Sequence, residues 1–211
     1  MLLSQVTELK SYPLVSHNLA ILRNRDTNSH EFREAAKRLS TMVLVAATES
    51  LSTLEQSVET PLKKTNEQVL AEEIWFIPIF RAGLAMLDVG LTLIPEAHTG
   101  FIGLFRDEKT LLPQHYYKNL PDFSKSANHC FIMDPMLATG GSSVAAIDLL
   151  QSHGASQISL LTLISAPEGI KEVFAKHPNI SIFTASVDER LDEIGYIVPG
   201  LGDAGDRYFG T

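Results

Sequence analysis

Asp134 closes an apolar run, Cys130 to Met133, and is followed by Pro135 and then by Thr139, Gly140, Gly141, Ser142 and Ser143. A carboxylate can accept from sugar hydroxyls. A small-residue turn that opens a helix aims several backbone N–H groups and the positive end of the helix dipole at one point. The pairing of acid and turn suits a phosphorylated sugar. A nucleoside-triphosphate P-loop is excluded, because that loop needs a Lys after its last glycine and Ser142 and Ser143 stand there. The competing reading is an ordinary strand-to-helix turn whose glycines only make room. The acid at the strand end and the hydroxyls in the turn weigh against it.

Two cations are placed in a comparable way. Arg81 follows the apolar run IWFIPIF and Arg106 ends FIGLFR, so each is expected at the end of a strand. An isolated Arg in that position is ordinarily a solvated surface residue. GLGDAG, at 200 to 205, satisfies the dinucleotide pattern G-x-G-x-x-G, but only DRYFGT follows it. Six residues cannot supply the helix and second strand which that fold requires, so dinucleotide binding is rejected. The histidines show no HExxH spacing and no GxSxG elbow is present, which argues against a metallohydrolase or a serine hydrolase.

The elements that must carry these residues are legible from periodicity. Residues 30 to 51 place Phe32, Ala35, Ala36, Leu39, Met42 and Val43 at helical spacing, widened by Leu44 and Val45, and predict a long packing helix. LAMLDVGLTLI continues as a helix after Arg81-Ala82-Gly83. FIGLFR, CFIMD, ISLLTLISA and ISIFTASV read as further strands, interleaved with helices at about 142–153 and 167–176. The alternation predicts an α/β fold, a mostly parallel central sheet flanked by helices on both faces, in a single domain over 1–211. In such sheets ligands bind beyond the carboxyl ends of the strands, where Arg81, Arg106 and Asp134 are expected. Residues 107–127 are polar and proline-punctuated with a short strand-like centre, and are read as a mobile projecting arm near the site, a disordered insertion being the alternative.

Composition narrows the class. The chain has 211 residues, 45% hydrophobic and 20% charged, which is ordinary for one globular domain. The formal charge is -8, from 17 basic and 25 acidic residues, so general attraction cannot hold a polyanion and local donors must. That charge and the absence of a basic stripe with interleaved aromatics weigh against nucleic-acid binding. The single cysteine, Cys130, lies in a predicted buried strand and reads as core. With no targeting segment and no apolar run of membrane-spanning length, the expectation is a soluble, cytoplasmic protein.

MDPMLATGGS closely resembles the 5-phosphoribosyl-1-diphosphate (PRPP) loop of uracil phosphoribosyltransferases, within the type I phosphoribosyltransferases. HNLAILRNRDTNSHEFRE near the start, IFRAGLAM at 79–86, APEGI at 166–170 and the terminal GYIVPGLGDAGDRYFGT are similar to the same family. The resemblance runs from about Tyr12 to the end and is weaker from Ser50 to Glu73. It implies transfer of phosphoribosyl from PRPP to N1 of uracil, giving UMP and diphosphate. It also implies that Arg81 and Arg106 contact the diphosphate, that Asp134 holds the ribose hydroxyls, and that Pro135, Met136, Leu137, Ala138, Thr139, Gly140, Gly141 and Ser142 form the PRPP loop. A C-terminal hood, about 187–211, would present Ile197, Gly202 and Ala204 to uracil, with Asp203 facing the ribose and its metal. Asp134, Asp203, Arg81 and Arg106 are then the catalytic candidates.

By the same resemblance Mg²⁺ is the cofactor, held mainly by PRPP with no direct protein ligand assigned. GTP is a candidate effector, and a dimer or tetramer of the chain is expected. In the family the Arg-Ala step can be strained or cis, and sequence alone does not establish its form at Arg81–Ala82. The chain departs from the wider pattern at Pro135, where many phosphoribosyltransferases carry a second acid, and at Ala46, where many relatives carry a glutamate. The alternative reading is a catalytically silent member of the fold that binds nucleotide or RNA as a regulator. Its expected marks, a basic face and a degraded loop or hood, are absent from the sequence.

Overall fold

A computed structural model describes residues 5–106 and 113–211, except for the side chains of 105, 106 and 113–115. Along the chain, β1 (Val6–Glu8) leads to α1 (Pro13–Arg23) and α2 (Ser29–Ala47), followed by the antiparallel pair β2 (Thr53–Glu59) and β3 (Lys64–Leu70). Next come β4 (Glu73–Phe80), α3 (Leu84–Leu93), β5 (His98–Thr99), β6 (Phe101–Arg106) and β7 (Pro113–Asn119). Then β8 (Asn128–Met133), β9 (Met136–Leu137), α4 (Gly141–Ser152), β10 (Gln157–Ser165), α5 (Pro167–Lys176) and β11 (Ser181–Val187) complete the main body. The short ribbon β12 (Arg190–Leu191) and β13 (Ile197–Val198) and the helix α6 (Ala204–Phe209) form the terminal hood.

The main sheet runs β1-β11-β10-β8-β4-β6-β7, with every neighbour parallel except β6 and β7. Its central strands are continuous apolar runs because both faces are covered. In β8 every residue is buried, and in β10 every residue after Gln157. Strand alternation sends Phe76, Phe131 and Leu161 into a core shared with α1, α2 and α3, while Ile77, Ile132 and Leu160 enter a second core beneath α4 and α5. The long helix starts at Ser29, capped by the Asn28 side chain, which accepts from Glu31 N–H at 3.0 Å. It ends at Ala47, with a 3-10 turn over Thr48–Ser50, a few residues short of the expected end.

Order in the sheet differs from order in the chain at one place that matters. After β4 the chain proceeds outward to β6, then returns to lay β8 on the opposite side of β4. The crevice above β4 and β8 is therefore a switch point, where open α/β sheets bind ligands.

The expected projecting arm at 107–127 lies partly outside the described residues, which resume at Pro113. Pro113–Asn119 is the antiparallel edge of the main sheet, and the Tyr117 ring stacks on Phe80 at 5.9 Å. An element that does stand apart from the main sheet is the β2–β3 hairpin. All seven residues of β2 are exposed, and Leu62 at the turn is 95% exposed.

Candidate active site

The carboxyl ends of the parallel strands place Arg81, Asp134 and Asp188 on one rim, after β4, β8 and β11. Gly83 brings the first two loops together. A Cβ at this position would overlap the Met133 carbonyl and lie 2.6 Å from Ile79 N, so only glycine lets the Arg81 loop pass over the end of β8. The turn is closed by Gly83 N–H donating to the Ile79 carbonyl at 2.9 Å. The Arg81–Ala82 step, which sequence left undecided, is not cis; a cis peptide lies one residue earlier, at Phe80–Arg81, at the strand end just before the turn closed by Gly83.

Asp134 is half-buried at the strand end, and its Oδ1 accepts from Met136 N–H at 3.3 Å. Desolvation pushes its carboxyl up to about 6, against the lowering effect of that one hydrogen bond. Pro135, Met136 and Leu137 are tied to the sheet. The Pro135 carbonyl accepts from Leu163 and Ile164 N–H at 3.0 Å each, β9 pairs with Ile164 and Ser165, and the Leu137 carbonyl accepts from Ala166 N–H at 2.8 Å. Pairing of this kind leaves Ala138 to Ser142 as the part of the loop that turns into α4.

Gly140 makes that turn with φ 86° and ψ -11°, a left-handed conformation that an L side chain resists. A Cβ there would also stand 2.9 Å from the Gly169 carbonyl. Gly141 and Ser142 then open α4, whose first N–H groups have no intrahelical acceptor and face the loop. Gly140→Ala is expected to displace the turn, because the left-handed penalty of roughly 1–2 kcal/mol and the close approach to the Gly169 carbonyl are relieved only by a backbone shift, and the misplaced N–H groups should weaken PRPP binding about tenfold. Calorimetric titration of PRPP checks this, and an unchanged Kd would remove the loop from phosphate binding.

The hood reaches the same rim. Arg81 Nη2 lies 3.1 Å from Asp206 Oδ1 in α6, an exposed pair of little energetic weight that nevertheless places the guanidinium beside the hood. Asp203 caps α6, its Oδ1 accepting from Asp206 N–H at 2.9 Å, and Ala204 is the first residue of the helix. Val198–Pro199 is cis, and Gly200 and Gly202 have φ of 64° and 80°. A Cβ on Gly200 would overlap the Ile197 carbonyl, so the chain folds back tightly over Ile197. Ile197 and Ala204 belong to the core beneath the hood. Arg106 ends β6 as expected, but its side chain lies outside the described residues.

Three residues that the sequence did not single out hold this arrangement. Arg23, at the end of α1, grips the buried Asp188 carboxylate with both guanidinium ends at 2.5 and 2.6 Å, and donates to the Gly200 carbonyl at 2.8 Å. Asp188 also accepts from Gly200 N–H at 2.9 Å and from the Ser186 hydroxyl at 3.1 Å. Burial alone would raise the Asp188 carboxyl, but these donors outweigh it and hold it below the ordinary carboxylate range. Arg207 donates to the carbonyls of Leu22, Leu201 and Asn24 at 2.6, 2.8 and 2.6 Å, and its guanidinium lies 4.5 Å above the Phe32 ring. Asp188 could have been suspected from its place just after a strand, as Asp134 was. Arg23 and Arg207 act on partners that no local pattern reveals.

Among the described residues no cluster of three or more His, Cys, Asp and Glu could hold a metal ion. Among the described residues no helix is long and apolar enough to cross a membrane.

A mostly parallel sheet carries a glycine-capped loop beside a strand-end acid, with a hood above the rim, and this is a phosphoribosyltransferase-like fold. The fold agrees with a solved hypoxanthine-guanine phosphoribosyltransferase from Bacillus anthracis, at TM-score 0.52 and 12% identity over 76% of this chain and 80% of that one. The chain belongs to the uracil phosphoribosyltransferase family, whose model matches residues 9–211. A uracil phosphoribosyltransferase of Levilactobacillus brevis is 46% identical over 97% of this chain and 98% of its own length. A solved protein from Aquifex aeolicus superposes with TM-score 0.90 at 38% identity, covering 98% of both chains.

Proposed function

We propose that this chain joins N1 of uracil to the anomeric carbon of PRPP, releasing diphosphate and forming UMP. The observation that carries the reading is the meeting of the glycine-capped loop, the strand-end acid Asp134 and the hood-paired Arg81 on one rim. As the diphosphate departs, positive charge grows on the ribose and negative charge on the leaving group. Arg81 and Arg106 would receive the diphosphate, because a planar guanidinium can grip two oxygens at once. The loop from Ala138 to Ser142 would hold the 5'-phosphate on backbone N–H groups and the α4 terminus. Asp134 would accept from the ribose hydroxyls and favour the cationic ring, so that catalysis is positional and electrostatic without a covalent enzyme intermediate.

Uracil presents carbonyl acceptors and an N–H donor along its edge, and main chain can supply the complement. With the side chains of Ile197 and Ala204 turned into the core, their backbones and that of Gly202 would read the base, and the second carboxylate oxygen of Asp203 would face the ribose. Mg²⁺ bound to PRPP would supply neutralisation of the diphosphate charge. The reading extends to a cytoplasmic homo-oligomer with GTP as effector. A dimer or tetramer is expected from scattering, and a mass equal to one 23.2 kDa chain would dismiss it.

Labelled uracil with PRPP and Mg²⁺, followed for UMP, tests the reaction, with cytosine, hypoxanthine and orotate alongside and GTP added in a further arm. UMP from uracil alone is expected. Product from another base would overturn the specificity, and no product from folded chain that binds PRPP would leave a silent member of the fold.

A further inference from the structure

The stretch APEGI, at 166–170, resembles the family but has no part in the reaction as derived above. It forms the start of α5, and α5 touches both halves of the site. At one side Gly169 lies directly against the phosphate loop: a Cβ there would overlap the Ala138 carbonyl and stand 3.0 Å from Leu137 Cγ. At the other, Glu168 Oε1 accepts from Leu191 N–H at 3.0 Å. Leu191 is in β12, and its partner across the ribbon is Ile197.

That hydrogen bond fills a specific gap. Within the ribbon Glu189 N–H donates to the Val198 carbonyl at 2.9 Å and Asp192 N–H to the Tyr196 carbonyl at 2.8 Å. Leu191 N–H is directed outward, and the Glu168 carboxylate takes it. The ribbon has only two residues in each strand, so its own ladder gives it little stiffness. Its turn also returns to the loop, since a Cβ on Gly195 would lie 3.7 Å from Thr139 Cγ2.

We infer that Glu168 is a positioning residue, which sets the register of the hood ribbon, and with it Ile197, against the phosphate loop. The inference rests on the proposed reaction for its kinetic consequence. Movement of the Ala138 carbonyl is passed to α5 through the close contact at Gly169, and from α5 to the base-reading strand through Glu168. The carboxylate touches no reacting atom in this scheme. Loss of the link should therefore affect uracil and spare PRPP.

The test compares Glu168→Ala and Glu168→Gln with the wild-type chain. For Glu168→Ala the KM for uracil at saturating PRPP is expected to rise about five- to tenfold, the range for one ordinary hydrogen bond. The kcat and the calorimetric Kd for PRPP without uracil should stay within about twofold. Glu168→Gln should recover most of the uracil KM, because its amide oxygen can still accept from Leu191 N–H. Amide hydrogen exchange at Leu191 should accelerate in the Ala variant whether or not the chain turns over.

Wild-type KM for uracil in Glu168→Ala would overturn the inference, as would equal weakening of both substrates with a lowered Tm. A Gln variant as impaired as Ala would overturn the hydrogen bond as its basis. A wild-type chain that makes no UMP would overturn the proposed reaction instead, and the exchange rate at Leu191 would then decide the link alone.

Discussion

Asp134→Asn is expected to lower kcat ~100-fold while raising the KM for PRPP only a fewfold, a loss of ~2.7 kcal/mol in the transition state. Hydrogen bonds to a charged group contribute roughly 1.5–3 kcal/mol each, and Asn surrenders the charge while keeping the shape. The single backbone hydrogen bond to Met136 survives through the amide oxygen, so the loop itself should remain in place. Steady-state kinetics decides the matter, and an unchanged kcat with only a raised KM would remove Asp134 from the chemistry.

The same residue sets a pH profile. With its carboxyl at about 6, Asp134 in the free enzyme is ionised above that value and protonated below it. Because a proton on the carboxylate removes an acceptor and the negative charge, kcat/KM for PRPP should fall as pH drops through about 6. The Asn variant should lose that limb while keeping any limb that belongs to the phosphates of PRPP. For stability the sign is opposite to the usual carboxylate. The folded value is raised, so the contribution of Asp134 is fully present below the unfolded pKa of ~3.9 and is lost as pH rises through the folded value. Asp134→Asn should accordingly raise Tm near pH 8, which identifies the acid as kept for function against stability.

Asp188→Asn is expected to be the most damaging of the structural changes, costing roughly 2–3 kcal/mol. Removing one partner of a fully buried ion pair costs about 3–5 kcal/mol. Here the Asp188 side chain is 1% exposed and that of Arg23 21%, so water recovers part of the loss at the guanidinium. For a chain of this size the change corresponds to a fall in Tm of roughly 4–12 °C. Thermal unfolding at neutral pH measures it, and a Tm within about one degree of wild type would show that Arg23 finds equivalent partners. Since Arg23 and Asp188 both hold Gly200, the KM for uracil should rise with the loss of stability while PRPP affinity changes less. The Asp188 carboxyl is held below its unfolded value, so its contribution is present above the unfolded pKa of ~3.9 and is lost as acid titrates the folded group. The acid limb of the stability profile should flatten in the Asn variant.

Much of this architecture is legible from residue order because its determinants are local. The period of apolar residues after Asn28 gives α2 within a residue at its start, and the runs CFIM and ISLLTLIS are buried on both faces as their continuity predicts. The turn from Ala138 to Ser142 is legible for the same reason. A left-handed Gly140 between a strand and a helix is a property of neighbouring residues, and Asp134 announces itself by ending an apolar run. Helix ends follow the expected bounds closely where Pro167 or Gly141 marks them, and less well at Ala47, where a 3-10 turn replaces the last helical residues.

What tertiary structure alone decides is the assembly of the hood on the loop. Arg23 and Asp188 are 165 residues apart, and Arg207 reaches Leu22 across 185, so no periodicity or spacing can pair them. Gly83 and Gly169 look like any turn or helix glycine until the carbonyls of Met133 and Ala138 are seen against them. Backbone preferences and apolar period are written into adjacent residues and survive without context. Close approaches and desolvated ion pairs exist only once distant segments have excluded water from between them, which is why the strand-turn-helix form of the loop could be read from order and the geometry that joins it to the hood could not.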